Sequence, residues 1–279
     1  MYFVKHKVKK QRDLIKESNW DILLVIDACR FDYFKKYYKE ILGNVGNLQK
    51  TLSPSTFTIG WLIDLFNEKK ENVIFICSES VSNKIKDISK KLKHGKDYDI
   101  NSCFDKIVDV WKDNYDAEND TVWPDAVTNT TIKIVKENPN KKIITKYWQV
   151  HEPYLYYMNK GEVNIPLKPF LRGVWRKLLY EVISDETYWT IINKLNLPQG
   201  SWHGYIWLKY GREGIINGYV NDLKMMLGHV KKIMKFFPNK NIVVTSDHGE
   251  RLGEWGRYSH GGRRNKIIKE VPWLEIKRR

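Results

Sequence analysis

The amino-acid sequence predicts an α/β protein built around a largely parallel β-sheet. Short apolar runs such as 22–26 are too brief for helices and rich in β-branched residues, which is typical of strands buried on both faces. Longer segments with helical spacing separate these runs, and that alternation indicates βαβ units. The chain has 279 residues and is 42% hydrophobic, which is enough for a core that needs no disulfide or metal staple.

The predicted elements follow one another along the chain. Residues 1–18 are basic and polar and are predicted to form a short helix or an arm. The predicted strands are 22–26, 73–77, 106–110, 143–150 and 241–246. The predicted helices are 31–42, 59–70, 81–92, 125–137 and a long amphipathic helix over 219–237. Ligands of parallel sheets bind at the carboxyl ends of the strands, so functional residues are expected there.

An aromatic-rich stretch interrupts this alternation. Residues 155–215 contain Trp175, Trp189, Trp202 and Trp207 together with tyrosine, proline and glycine. We predict that 155–215 is a cap insertion over the cleft, within one domain that spans 1–279. Most of these aromatic side chains are expected to form a small second core, and a cap that stacks on a sugar or lipid is the alternative.

Charge and cysteine content limit the partners and the compartment. The net charge of +15 comes mostly from lysines spread along the chain. It suits an anionic substrate or an anionic membrane surface, whereas nucleic acid is not the expected partner because spread lysine is typical of a solvated surface. Three cysteines without a C-x-x-C pair, and no apolar N-terminal segment, predict a cytoplasmic protein, with peripheral membrane contact as an alternative.

Possible metal ligands follow three of the predicted strands. Asp27 ends the first strand, Asp247 and His248 follow the last, and His151 follows the strand before it. A glycine-rich stretch at 253–256 lets the next loop bring His260 back to the same edge. Carboxylate and imidazole ligands suit zinc and tolerate manganese, so one or two divalent ions per chain are expected.

A hydroxyl-rich segment, 51–58, precedes a predicted helix. The N–H groups and the dipole at a helix N-terminus favour an anion, and a metal ion can activate a hydroxyl there as a nucleophile. An ordinary helix N-cap is the alternative use of these residues.

Taken together, these segments resemble the alkaline phosphatase/sulfatase superfamily. The resembling segments, in the family's order, are 21–32, 53–58, 151–154, 245–254, His260 and 271–272. The block Thr-Ser-Asp-His-Gly-Glu at 245–250 is the most specific of them. The resemblance implies an alkaline-phosphatase-like α/β/α sandwich in which Asp27, Asp247 and His248 bind one metal together with the nucleophile.

The same resemblance assigns roles to two further residues. His260 is expected to bind a metal, and His151 to hold the anionic group of the substrate or to serve a second metal. The positive charge of Arg30 makes it a candidate for substrate binding, with a structural pairing to Asp32 or to a helix end as the alternative. Lys146 is a candidate for supplying further positive charge near the site, as are Arg251 and Arg257.

Departures from the family pattern narrow the chemistry. Formylglycine sulfatases carry Cys-x-Pro-Ser-Arg, whereas this sequence has Leu52 at the cysteine position. Relatives with a hydroxyl nucleophile often carry Trp-Thr-x-Pro-Ser, and aligning 57–60 with that motif makes Thr58 the nucleophile and puts Gly60 in place of proline. Thr56 and Ser55 remain rivals because the register can slip.

The predicted function is therefore a metal-dependent hydrolase of phosphate mono- or diesters that uses Thr58. An imidazole at His248, where sulfatases commonly have asparagine, favours a transition metal and phosphate over sulfate esters. The alternatives are a phosphotransferase that modifies a surface glycan or lipid, a sulfate-ester hydrolase without formylglycine, and a basic binding protein on a degenerate fold. The physiological substrate and the oligomeric state are left open.

Overall fold

The computed structural model describes residues 8–79, 99–161, 183–195, 201–260 and 266–277. The strands are β1 Ile22–Ile26, β2 Asn47–Leu52, β3 Lys70–Cys77, β4 Phe104–Asp109, β5 Tyr115–Asp116, β6 Thr121–Val122, β7 Lys142–Tyr147, β8 Ile242–Thr245, β9 Arg251–Glu254, β10 Arg257–Ser259 and β11 Glu270–Ile276. The helices in these ranges are α1 Gln11–Glu17, α2 Phe31–Leu42, α3 Thr58–Leu65, α4 Val110–Asn114, α5 Pro124–Glu137, α6 Leu155–Met158, α7 Asp185–Lys194, α8 Trp202–Phe236 and α9 Lys266–Lys269.

A seven-stranded sheet in the order β2-β11-β8-β1-β7-β3-β4 lies at the centre. The strands β8, β1, β7, β3 and β4 run parallel to one another, and β11 pairs antiparallel with both β8 and β2. The α/β prediction with a largely parallel sheet is confirmed. Because β1 lies between β7 and β8, the segments that follow these three strands meet at one edge of the sheet.

The two faces of the sheet carry separate cores. Alternate side chains of a strand point to opposite faces, so Ile22, Leu24 and Ile26 pack with α2, α5 and α8 on one face. Leu23 and Val25 pack with α1 and α3 on the other face. All of these β1 side chains are fully buried, which is why this strand is apolar at every position. The result is the predicted sandwich of helices on both sides of the sheet.

The stretch predicted to form a cap is only partly described. Residues 162–182, which include Trp175, and 196–200 lie outside the described residues, as does the helix predicted over 81–92. Trp189 and Trp202 are buried in the main core on the α8 side of the sheet. The division into one domain with a cap at 155–215 stays a prediction.

Helix α8 is longer than the helical pattern predicts. It begins at Trp202, inside the predicted cap, and its backbone is interrupted at Gly211, where φ is +66°. Glycine adopts this left-handed conformation without the steric cost that a Cβ would bring. In the part of the chain that the structure describes, no helix is both long enough and apolar enough to cross a membrane.

Candidate active site

Three predicted metal ligands meet where β1 and β8 end. Asp27 directly follows β1, and Asp247 and His248 lie just beyond β8; all three side chains are buried. His248 Nε2 lies 3.4 Å from Asp27 Oδ1 and 3.5 Å from Asp247 Oδ2. One ligand atom from each residue lies within 4.8 Å of the other two. We call these three residues the first group.

Two atoms of the first group fit a metal ion. Asp27 Oδ1 and His248 Nε2 are buried, and neither forms a hydrogen bond to any described residue. The His248 ring pairs its Nδ1 with the carbonyl oxygen of Gly249 at 2.9 Å, which fixes Nδ1 as the protonated nitrogen and leaves a lone pair on Nε2. Burial lowers the pKa of His248, so the ring is neutral near pH 7. A buried carboxylate oxygen and a buried ring nitrogen that lack hydrogen-bond partners are suitable ligands for a divalent ion.

The Thr58 hydroxyl contacts the first group directly. It donates a hydrogen bond of 2.7 Å to Asp247 Oδ2 from the first position of α3. The Ser53 hydroxyl contacts the carbonyl oxygen of Asp247 and so ties the segment before α3 to the end of β8. Of the two rivals, Ser55 accepts a hydrogen bond of 3.4 Å from the backbone N–H of Phe57, within its own turn. The structure therefore places the Thr58 hydroxyl against Asp247, and its role as the nucleophile stays a prediction.

Steric crowding around position 60 explains why a glycine is found there. A Cβ added to Gly60 would collide with the Ser55 hydroxyl and with the ring of Phe57. Glycine here lets α3 begin tightly against the turn that presents Thr58. Gly60 in place of the motif's proline is therefore compatible with an intact active site. It gives no support to the alternative of a binding protein on a degenerate fold.

Lys146 on β7 lies among the carboxylates of the first group. Its Nζ is fully buried, 2.6 Å from Asp27 Oδ2, 3.4 Å from Asp247 Oδ2 and 3.3 Å from Glu79 Oε1. Burial alone would lower the pKa of Lys146, but these three carboxylates raise it well above its ordinary value, so the side chain is an ammonium. Burial and the neighbouring Asp247 raise the pKa of Asp27, whereas the Lys146 ammonium lowers it, and a positive ion bound beside Asp27 would lower it further.

A second group of possible metal ligands lies beside the first. It consists of His151, Glu250 and His260, which each offer one ligand atom within 4.8 Å of the others. The ring centroids of His260 and His248 are 4.2 Å apart, so the two groups are adjacent. Burial lowers the pKa values of His151 and His260, which keeps both imidazoles neutral and able to bind a metal. Glu250 was not assigned from the sequence.

Arg30 contacts acidic side chains beside the site. Its guanidinium pairs with Asp32 at 2.7 Å and with Glu254 at 2.6 Å, and it also donates to the carbonyl oxygen of Glu250 at 3.3 Å. It therefore braces the segment that carries Glu250. This matches the alternative expected from the sequence, and binding of substrate by Arg30 stays a prediction.

Tyr219 on α8 holds the backbone that follows Asp27. Its buried hydroxyl accepts a hydrogen bond from the backbone N–H of Arg30 at 2.8 Å and donates one to the carbonyl oxygen of Ala28 at 2.9 Å. Ala28 adopts a φ of +55°, which an L-residue keeps only when its surroundings hold it. The tyrosine therefore fixes the turn that orients Asp27.

We expect Tyr219→Phe to lower the free energy of unfolding by about 2 kcal/mol, because it leaves two buried backbone groups without a partner. Denaturant unfolding followed by circular dichroism measures this. Tyr33→Phe, at the half-buried partner in the same aromatic pair, is the matched control and should cost less than half as much. Equal losses in the two variants would show that the hydroxyl does not brace the turn.

A buried ion pair supports the loop that carries His151. His203 Nδ1 lies 2.8 Å from Glu152 Oε2, and the Tyr154 hydroxyl lies 2.9 Å from His203 Nε2. Burial opposes the charge on His203, but Glu152 raises its pKa to about 9 from an ordinary 6.5. Because the folded-state pKa is the higher one, the pair stabilises the protein fully below pH 6.5, and this contribution is lost as the pH rises through 9.

We therefore expect His203→Gln to lower the free energy of unfolding most at pH 6, by about 3 kcal/mol, and little above pH 10. Urea unfolding of both proteins at several pH values between 6 and 10 measures the difference. A difference that stays constant over this range would contradict the ion pair.

Several proteins of known structure have a fold similar to that of this chain. Neither a protein-family model nor a curated protein matches the sequence. The soluble domain of lipooligosaccharide phosphoethanolamine transferase A from Neisseria meningitidis aligns with 91% of this chain and 75% of its own, with a TM-score of 0.56 at 16% identity. The same protein as an integral membrane protein aligns with 98% of this chain and 48% of its own, with a TM-score of 0.57 at 15% identity. This chain thus spans about half of that membrane protein.

Two further structures share the architecture. The C-terminal periplasmic domain of EcEptC from Escherichia coli, in complex with Zn, aligns with 97% of this chain and 75% of its own, with a TM-score of 0.52 at 13% identity. A sulfatase-like protein from Bacteroides thetaiotaomicron aligns with 94% of this chain and 66% of its own, with a TM-score of 0.52 at 12% identity. This chain has the alkaline-phosphatase-like fold. The predicted resemblance to the alkaline phosphatase/sulfatase superfamily is confirmed at the level of the fold.

The alkaline-phosphatase-like neighbours correct one prediction. The cytoplasmic location is wrong by this comparison, since the part of EcEptC that matches is a periplasmic domain. The prediction rested largely on Cys29, Cys77 and Cys103, which are buried free thiols. A structural buried thiol is inert, so its presence says little about the redox state of the compartment.

Proposed function

We propose that this protein is a metal-dependent phosphotransferase that moves a phosphate-containing group from an ester donor, through Thr58, to an acceptor hydroxyl. The observation that carries the proposal is the 2.7 Å hydrogen bond from Thr58 Oγ1 to Asp247 Oδ2. It puts a hydroxyl at a helix N-terminus beside the unpaired Asp27 Oδ1 and His248 Nε2. The candidate nucleophile, which is half-buried, thus lies directly against the buried candidate metal ligands.

The residues of the first group would hold a zinc ion, with manganese as the alternative. A divalent ion supplies positive charge that lowers the pKa of a nearby hydroxyl and neutralises an anionic ester. Asp247 orients Thr58 through its hydrogen bond, and the N-terminal N–H groups of α3 offer donors to the substrate anion. The Zn complex of EcEptC, which has the same fold, supports zinc.

The second group would hold a second ion or the anionic group of the substrate. His151, Glu250 and His260 fit either role, since neutral imidazoles and a carboxylate bind a transition metal. An ion held by the second group would add positive charge beside the first group.

The proposed transfer balances in two steps. In the first, Thr58 Oγ1 forms a bond to phosphorus, the bond from phosphorus to the donor alcohol breaks, and the proton that Thr58 gives up equals the one the leaving oxygen takes. In the second, the acceptor oxygen bonds to phosphorus, the bond to Thr58 breaks, and the acceptor proton replaces the one that Thr58 lost. No further co-reactant is needed.

Transfer to a glycan or lipid hydroxyl is the leading form of this proposal. Phosphoethanolamine transferase A from Neisseria meningitidis, which shares the fold, supports it, and the positive net charge suits an anionic substrate or membrane surface. Hydrolysis is the second candidate, because it shares the first step and only replaces the acceptor with water. A sulfate ester is a third substrate class, supported by the sulfatase-like neighbour.

Product analysis with a chromogenic donor tests the proposal. The zinc-loaded protein is incubated with p-nitrophenyl phosphoethanolamine, p-nitrophenyl phosphate or p-nitrophenyl sulfate, with and without glycerol or glucosamine. Release of nitrophenol from a phosphate ester, with a new phosphoethanolamine ester on the added alcohol, is expected. If nitrophenol is released but no new ester forms at any acceptor concentration, the protein is a hydrolase and the transferase proposal is wrong. If no donor releases nitrophenol, both the transferase and the hydrolase are contradicted.

A further inference from the structure

Lys146 is a buried cation at the first group that neither the predicted ligand set nor the proposed mechanism uses. A buried ammonium is costly unless acidic partners surround it, and here Asp27, Asp247 and Glu79 lie within 3.4 Å of Nζ. With all three acids ionised, three negative charges face one positive charge, which leaves two negative charges. One divalent ion would balance them.

The two carboxylate oxygens of Asp27 face different side chains. Oδ2 accepts from Lys146 Nζ at 2.6 Å, whereas Oδ1 is 3.4 Å from His248 Nε2 and forms no hydrogen bond within the described ranges. Rotating the carboxylate away from His248 would break its bond to Lys146. The lysine thus fixes which oxygen of Asp27 is offered to an ion.

Asp247 is shared in a similar way. Its Oδ2 accepts from Thr58 at 2.7 Å and lies 3.4 Å from Lys146 Nζ, while its Oδ1 accepts from the backbone N–H of His248 at 2.9 Å. Lys146 therefore contacts both carboxylates of the first group from the side where Glu79 lies. Three carboxylates therefore surround Lys146 Nζ. Without the lysine, three such carboxylates would be a suitable ligand set for a hard divalent cation.

We infer that Lys146 is a positioning residue that takes the place of a further metal ion: its ammonium holds Asp27 towards His248 and fills the cation position between Asp27, Asp247 and Glu79. The first group then binds one divalent ion and not two. This inference rests on the proposed metal site, but its test counts ions and needs no turnover.

Exchanging the charge at this position tests the inference. Wild type, Lys146→Glu and Lys142→Glu are each saturated with Zn²⁺ and Mg²⁺, passed over a desalting column and analysed for metal by mass spectrometry. Lys142 is the matched control, since it lies on the same strand and is partly exposed. Lys146→Glu is expected to hold about one more divalent ion per chain than wild type, and Lys142→Glu the same number as wild type.

Each outcome separates the inference from the proposed function. An unchanged or lower ion count in folded Lys146→Glu would overturn the role of Lys146 and leave the mechanism of Thr58 untouched. Wild type that binds no ion at all would contradict the proposed function itself. If Lys146→Glu folds only with divalent ions present, the dependence of its melting temperature on Mg²⁺ concentration supports the inference. Failure to fold at every Mg²⁺ concentration would overturn it.

Discussion

Thr58→Ala is expected to reduce release of nitrophenol from the active donor on the order of 10⁴-fold or more, the scale of loss seen when a covalent nucleophile is removed. The reason is that no atom is left to form the bond to phosphorus, while Asp27, Asp247 and His248 keep their places. Zinc content should therefore match wild type. Initial rates and metal analysis on the same preparation measure both quantities.

Three variants of the same segment act as controls. Thr58→Ser keeps a hydroxyl and is expected to retain much of the activity. If Thr58 had only a structural role, activity would not depend on a hydroxyl at this position. Ser55→Ala and Thr56→Ala remove the rival hydroxyls and should change the rate less than tenfold, because the first lies in its own turn and Thr58 has the contact with Asp247. Loss of activity in Thr56→Ala with activity kept in Thr58→Ala would contradict this assignment and place the nucleophile two residues earlier, at Thr56.

Removal of the ion is the second large effect. Chelation followed by desalting is expected to abolish turnover, and added Zn²⁺ should restore it. His248→Gln should weaken zinc binding by more than the 10–100-fold that loss of a supporting hydrogen bond costs, because His248 would be a ligand itself. Competition with a fluorescent zinc chelator gives the affinity of each variant.

A histidine outside the site is the control for that experiment. His229 on α8 lies 3.0 Å from the Thr128 hydroxyl and takes no part in either group. His229→Gln should bind zinc as wild type does. Zinc at a hundredfold excess over its dissociation constant should also stabilise wild type by about 2.7 kcal/mol against unfolding. Equal zinc affinity in the two histidine variants would contradict the first group.

The central elements of the fold could be predicted because their sequences follow one rule each. The run at β1 is apolar throughout because both of its faces are covered, and α2 has the same bounds as its helical pattern. The edge strand β2 was missed, since its side chains are mostly half-buried and polar, as NLQKTL. The start of α8 was also missed, because its glycines and tryptophans are atypical of helices.

The site could be predicted where residues follow strands directly. The structure brings Asp27, Asp247, His248 and Thr58 together as the sequence indicates. Glu250 escaped assignment to the second group because its position depends on how the segment after β8 turns. Lys146 was expected only to add positive charge near the site, because its contacts depend on which side of β7 faces Asp27. Neither is local information. The sequence offered one signal for Glu250, which belongs to the specific block at 245–250 that also holds Asp247 and His248.

The most direct test of the account is the identity of the residue that carries the group between the two half-reactions. The zinc-loaded protein is mixed with p-nitrophenyl phosphoethanolamine without an acceptor, quenched in acid, and digested for mass spectrometry. We expect a peptide in which Thr58 carries the added mass of the transferred group. This modified peptide should disappear when the acceptor alcohol is added. Turnover with the added mass on another residue, or with unmodified Thr58 in every sample, would contradict it.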